Sequence, residues 1–153
     1  PGRVDTAHVR GISNLQIDAP SGYVNIESSS VQVLLDDGAV EVSGQLSSAT
    51  EVVPYSATVT LNWNDSNTQE VTLTGAVTFA HSNLRAGAHY NLIVRQNGAG
   101  NHLATWSGSD KFVGGQAVGG VLSTAANAID RFDGIYTDGA EILWTTHRGI
   151  FAS

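Results

Sequence analysis

The sequence contains no cysteine and no methionine, only three prolines, and a single lysine, Lys111. Without cysteine there is no disulfide framework and no thiolate metal site, and cysteine usage says nothing about redox compartment. Seven basic residues stand against 14 acidic ones, for a formal net charge of −7. The six arginines are scattered, so the basic patch of a nucleic-acid binder is missing. No apolar run approaches the ~20 residues of a membrane-spanning helix. No basic segment followed by an apolar stretch opens the chain, so no signal peptide is expected. Charged residues make up only 14% of the chain, but 41% is hydrophobic, too much for a disordered chain. At 153 residues one domain is the default, and a chain of about this length buries roughly two thirds of its unfolded surface.

Helical periodicity is as scarce as cysteine. Val, Thr, Ile and Ser dominate, and apolar residues recur with period two, the pattern of half-buried strands. Tyr23-Val24-Asn25-Ile26-Glu27 alternates, and Val31–Leu35 and Ala39–Ser43 flank the hairpin signal Asp36-Asp37-Gly38. A second hairpin is expected from Ala57–Trp63 and Gln69–Thr74 across Asn64-Asp65-Ser66-Asn67. Ala76–Phe79 follows Gly75; His89–Gln96 is the longest strand candidate, turned back by Asn97–Gly100 into His102–Trp106. Gly108–Gly120, with five glycines, reads as an ordered loop, and Ser123–Asn127 as one helical turn capped by Ser123. A last hairpin joins Ala128–Tyr136 to Ala140–Thr146 across Asp138-Gly139. Nine or ten short strands with turns every 8–12 residues predict an all-β, antiparallel β-sandwich or jelly-roll-like domain over residues 23–153.

Residues 1–22 do not fit that domain. Val4, Val9, Ile12, Leu15 and Ile17 are isolated apolar residues without sustained alternation. The segment reads as a frayed terminus or first edge strand, or as an extended N-terminal arm reaching at most ~70 Å to pair with a neighbour. In the second reading Val9, Ile12, Leu15 and Ile17 are its partner-binding anchors.

Catalytic and metal signatures are thin. There is no G-x-S-x-G elbow, no Walker or G-x-G-x-x-G phosphate loop and no D-x-D-x-D-G calcium loop. His8, His81, His89, His102 and His147 are dispersed without a zinc-like spacing. Pairing of the 89–96 and 102–106 strands would bring His89 and His102 together, but both read first as solvent-facing strand residues. Asp130, Asp133 and Asp138 are the least unsuitable glycosidase-like carboxylates, yet Asp133-Gly134 and Asp138-Gly139 read better as turn or bulge residues. The chain is therefore read as a non-enzyme with no cofactor and no metal. Most aromatics belong in the core. Trp106, followed at once by glycine-rich sequence, is the best candidate for exposure.

The order of features from Thr74 to Phe151 resembles a β-rich module of tailed-bacteriophage virion proteins, found in tail-fibre, tail-associated and head-decoration polypeptides. It runs through Thr74–Phe79, Asn83–Gly87, Leu92–Gly100, Ala104–Trp106, Lys111–Gly115, Leu122–Thr124, Ile129-Asp130 and Tyr136–Gly139. The resemblance implies a structural virion component. A head decoration (cement) protein, a homotrimer held to the major capsid protein or other virion subunits on the outer surface of the head, competes with a tail-fibre or receptor-binding module recognising a host glycan. Neither reading involves nucleic acid or a membrane.

Overall fold

The computed structural model describes residues 47–151. The expected arm at 1–22, its anchors Val9, Ile12, Leu15 and Ile17, the domain boundary at 22/23, and the strands expected at 23–43 all lie outside the described residues.

Nine strands and one short helix follow in chain order: β1 (Thr50–Val52), β2 (Thr58–Asn62), β3 (Thr68–Leu73), β4 (Val77–Ser82), β5 (His89–Gln96), β6 (Ala104–Thr105), β7 (Asp110–Phe112), α1 (Gln116–Gly119), β8 (Ala128–Tyr136) and β9 (Ile142–Phe151). They form a six-stranded sheet ordered β1-β3-β5-β8-β9-β7 and a three-stranded sheet ordered β2-β4-β6. The described protein is thus all-β, with burial alternating along most strands as period two requires: Val59 and Leu61 in β2, Val71 and Leu73 in β3, Tyr90, Leu92 and Val94 in β5 are all buried. Side chains from both sheets meet in one core, through which aromatic contacts link Tyr90 to Trp63 (4.3 Å between centroids), and Trp106 to Phe79 (4.9 Å), Phe112 (4.9 Å) and Phe132 (4.8 Å).

The connectivity departs from the antiparallel expectation. The segments 57–63 and 69–74 do not pair as a hairpin. Instead β2 pairs in parallel with β4, and β3 in parallel with both β1 and β5, so the chain alternates between the sheets through its first six strands. The turn after β2 is real, with Asp65 N donating to Asn62 O at 3.0 Å, but it carries the chain from one sheet to the other. Each strand of one sheet thereby serves as the crossover that a parallel pair in the other requires.

Likewise β6 pairs in parallel with β4, not with β5. The buried Gln96 amide explains how the chain leaves β5: its Nε2 donates to His102 O (2.8 Å) and its Oε1 accepts from His102 N (3.0 Å). Asn97 Oδ1 accepts from the amides of Ala99 (2.9 Å) and Gly100 (3.1 Å), an Asx turn. Gly100 has φ +65°, and a Cβ there would strike Thr124 O. The expected hairpin of β8 and β9 is present, antiparallel with Tyr136 opposite Ile142 and an irregularity between Ile129 and Arg131. No helical turn forms at 123–127; the helical turn is α1, inside the glycine-rich loop.

Candidate functional site

Alternation continues through β4 as Val77, Phe79, His81 and through β7 as Asp110, Phe112, placing a histidine and an aspartate in core-facing phase. Both side chains are almost wholly enclosed, His81 at 2% and Asp110 at 0% exposure. Polar groups buried this deeply require partners, and here every one is found. His81 Nε2 meets Asp110 Oδ1 at 3.0 Å, and Trp144 Nε1 donates to the same oxygen at 2.6 Å. Asp110 Oδ2 accepts from Ser107 N (2.9 Å) and Ser107 Oγ (2.8 Å). Trp63 Nε1 donates to His81 Nδ1 at 3.1 Å, so that nitrogen is an acceptor and Nε2 carries the hydrogen given to Asp110. Burial alone pushes the Asp110 carboxyl up, but the hydrogen bond from His81, then those from Trp144 and Ser107, hold it below the usual carboxylate range.

Serine, histidine and aspartate thus stand together in an order unsuited to nucleophilic catalysis. Ser107 Oγ bonds the carboxylate, whereas an activated serine needs the imidazole as its base. The cluster ties β4, β7, β9 and the end of β2 into one unit. Sequence reading singled out neither His81 nor Asp110. Neither lay on an expected strand, His81 falling beyond Ala76–Phe79 and Asp110 inside the Gly108–Gly120 loop, so alternation carried no signal for them.

The three aspartates considered earlier are not brought together. Asp130 is buried, accepting from Ser123 N (2.6 Å) and Gly149 N (2.9 Å), and so fastens β9 and the 123 loop to β8. Asp133 lies on the opposite face of β8 with Arg131 (2.9 Å) and His147 (3.2 Å). Asp138 is exposed in the β8–β9 turn. Asp133-Gly134 is neither turn nor bulge: it sits mid-strand, where a Cβ on Gly134 would collide with the Trp144 ring. His89 and His102 are also apart. His89 opens β5, while His102 contacts Asn97 beyond its far end (3.0 Å), about 25 Å along the strand at ~3.3 Å per residue.

Trp106 is buried, at 7% exposure. The glycines that suggested an open loop do the reverse: the loop closes on the indole, whose Nε1 donates to Gly120 O (2.6 Å), and a Cβ on Gly120 would sit 3.0 Å from that ring. Trp63 and Trp144 are buried as well. Among the described residues no group of three or more His, Cys, Asp or Glu is placed to hold a metal ion.

The outer face of the six-stranded sheet is accessible. Asn91, Ile93 and Arg95 of β5 lie beside Asp133, Arg131 and Ile129 of β8, followed by Thr145 and His147 of β9. A shallow depression of about 270 Å³ is lined by His89, Asn91, Asp133, Ile135, Leu143 and Thr145. Glu70 and Arg95 form a two-bonded pair across β3 and β5 (2.7 and 3.1 Å), and the hydrogen bond to Glu70 raises the Arg95 guanidinium further. The described protein is strand-rich, and its buried Asp110, Asp130 and His81 are hydrogen-bonded within the fold. No protein-family model, curated protein or solved structure matches the chain.

Proposed function

We propose that this protein is a non-enzymatic structural component of a tailed-phage virion, a decoration or cement protein that binds and stabilises the head shell. The observation that carries the reading is the use of the polar core. Asp110, Asp130 and His81 are buried and bonded to backbone, indole and serine partners, so these groups are engaged in holding the fold. The ordered features from Thr74 to Phe151 supply the virion context. Two sheets sharing one core support the finer reading of a β-sandwich. Residues 1–22 act in this proposal as the arm that grips the major capsid protein or another virion subunit, with Val9, Ile12, Leu15 and Ile17 as anchors, and the particle carries the protein as a homotrimer.

The tail-fibre reading, with a host glycan as ligand, calls for an exposed aromatic platform. All three tryptophans are buried, which weighs against it. Low-resolution imaging of intact particles with a labelled copy of the chain tests the proposal. Density on the outer surface of the head is the expected result; density confined to the tail, or none, overturns it.

A further inference from the structure

We propose that Asn97-Gly98 is a self-modifying site, where the folded turn after β5 converts its own asparagine to isoaspartate through a cyclic imide. The pair is the only Asn-Gly in the sequence. Every other asparagine is followed by a residue whose Cβ crowds the next amide nitrogen. Gly98 imposes no such crowding: it is exposed, and nothing lies within 4 Å of the place a Cβ would take. Its amide nitrogen has no hydrogen-bond partner among the described residues.

The carbonyl that this nitrogen would attack is already surrounded by donors. Asn97 Oδ1 accepts from Ala99 N (2.9 Å) and Gly100 N (3.1 Å), and His102 Nε2 meets it at 3.0 Å. The two backbone donors identify that atom as the amide oxygen, so His102 Nε2 carries the hydrogen it shares. Three donors converging on one oxygen stabilise the charge that develops there in a tetrahedral intermediate. The bond from Ala99 N to Asn97 Oδ1 also closes a ring of atoms that runs through Gly98 N, holding the nucleophile beside Cγ. Asn97 O is tied down too, accepting from Gly100 N (3.1 Å) and Asn127 N (3.0 Å). The main chain around the reacting atoms is therefore fixed.

In the reaction Gly98 N bonds to Asn97 Cγ and gives up its hydrogen. The Cγ–Nδ2 bond breaks, and ammonia leaves with that hydrogen. Water then opens the imide. Entry at Cγ gives aspartate; entry at the main-chain carbonyl carbon routes the chain through the side chain, as isoaspartate with one more backbone carbon. The longer turn would pull Asn97 O away from Asn127 N and loosen the hold of β5 on the 124–127 loop. The inference does not rest on the virion reading.

Peptide mapping by mass spectrometry tests it, on the full chain held folded in mildly alkaline buffer and, in parallel, unfolded in urea. Isoaspartate is the diagnostic product, because direct hydrolysis of the side-chain amide gives aspartate alone. We expect Asn97 to convert ahead of every other asparagine, mainly to isoaspartate, and at least as fast folded as in urea. His102→Ala should slow conversion in the folded chain by about threefold or more and leave the rate in urea unchanged. The effect is smaller than the ~100–1,000-fold of an enclosed enzyme site because the turn is partly open to water. An intact Asn97, aspartate as the sole product, or slower conversion folded than unfolded overturns the proposal. So does a folded His102→Ala chain that converts as fast as the unsubstituted one. Comparing the folded and unfolded chain needs no variant, so the outcome stands even if His102→Ala fails to fold.

Discussion

Asp110 accepts four hydrogen bonds, two on each carboxylate oxygen, and that symmetry makes it the least replaceable residue described. In Asp110→Asn either amide orientation turns an NH₂ toward donors, His81 and Trp144 on one side or Ser107 N on the other, where only the Ser107 hydroxyl can turn to accept. With bonds to a charged group contributing about 1.5–3 kcal/mol each, Asp110→Asn should destabilise the protein by about 3 kcal/mol, read as a lower urea midpoint with unchanged slope. The pH dependence follows from the depressed carboxyl. A group that binds its proton less readily folded than unfolded contributes stability above its unfolded value, about 3.9 for aspartate, and loses it as pH falls through the lower folded value. The stability gap between the wild-type chain and Asp110→Asn should therefore be full at neutral pH and narrow below about pH 4; a gap constant down to pH 2 would contradict the assignment. Little of this was legible beforehand, because a single His and a single Asp 29 positions apart carry no spacing motif. Only the fold makes them neighbours.

At the scale of elements, the sequence reading recovers what alternation and local turns encode. The bounds of β5 and β8, and the pairing of β8 with β9 through the Asp138-Gly139 turn, match the structure. What was hidden is which strands pair. Asn64–Asn67 and Asn97–Gly100 signal that the chain turns, but a turn within a sheet and a turn between sheets use the same Asn and Gly chemistry. Side-chain alternation is equally blind, since it survives any pairing partner. The glycine-rich loop misled for a related reason: glycine marks close approach as well as flexibility, and Gly119 and Gly120 let the loop lie against Phe112 and Trp106. Gly134 sets the same kind of test inside the hairpin. Its missing Cβ is the space occupied by Trp144, the residue that also donates to Asp110. Gly134→Ala should cost about 1–3 kcal/mol by overpacking and shift the near-ultraviolet circular dichroism of the indole. The neighbouring outward substitution Asp133→Ala, which breaks only half-exposed pairs with Arg131 and His147, should stay within about 1 kcal/mol.

For the whole molecule, the proposed function divides the labour between a rigid β framework and the N-terminal residues 1–22. Val9, Ile12, Leu15 and Ile17 are single apolar residues in a polar stretch. Such a segment gains too little from burying its own surface to offset an ordering entropy of ~1–2 kcal/mol per residue. Pairing with an exposed strand of a partner changes the balance, because backbone hydrogen bonds then add to the fit of alternate side chains. Each anchor contributes on the order of 1.5–3 kcal/mol if fully buried, in addition to the backbone bonds of the added strand. Deleting residues 1–17 should leave the β-rich circular dichroism and the urea midpoint unchanged, since among the described residues the buried core cluster runs from Val59 to Trp144, while binding to virion shells falls to the background level. The homotrimer of the proposed function should persist in the truncated chain, read by sedimentation. Particle binding that persists without residues 1–17 would instead assign attachment to the β framework, and loss of the oligomer on truncation would move the subunit contact to the N-terminal segment.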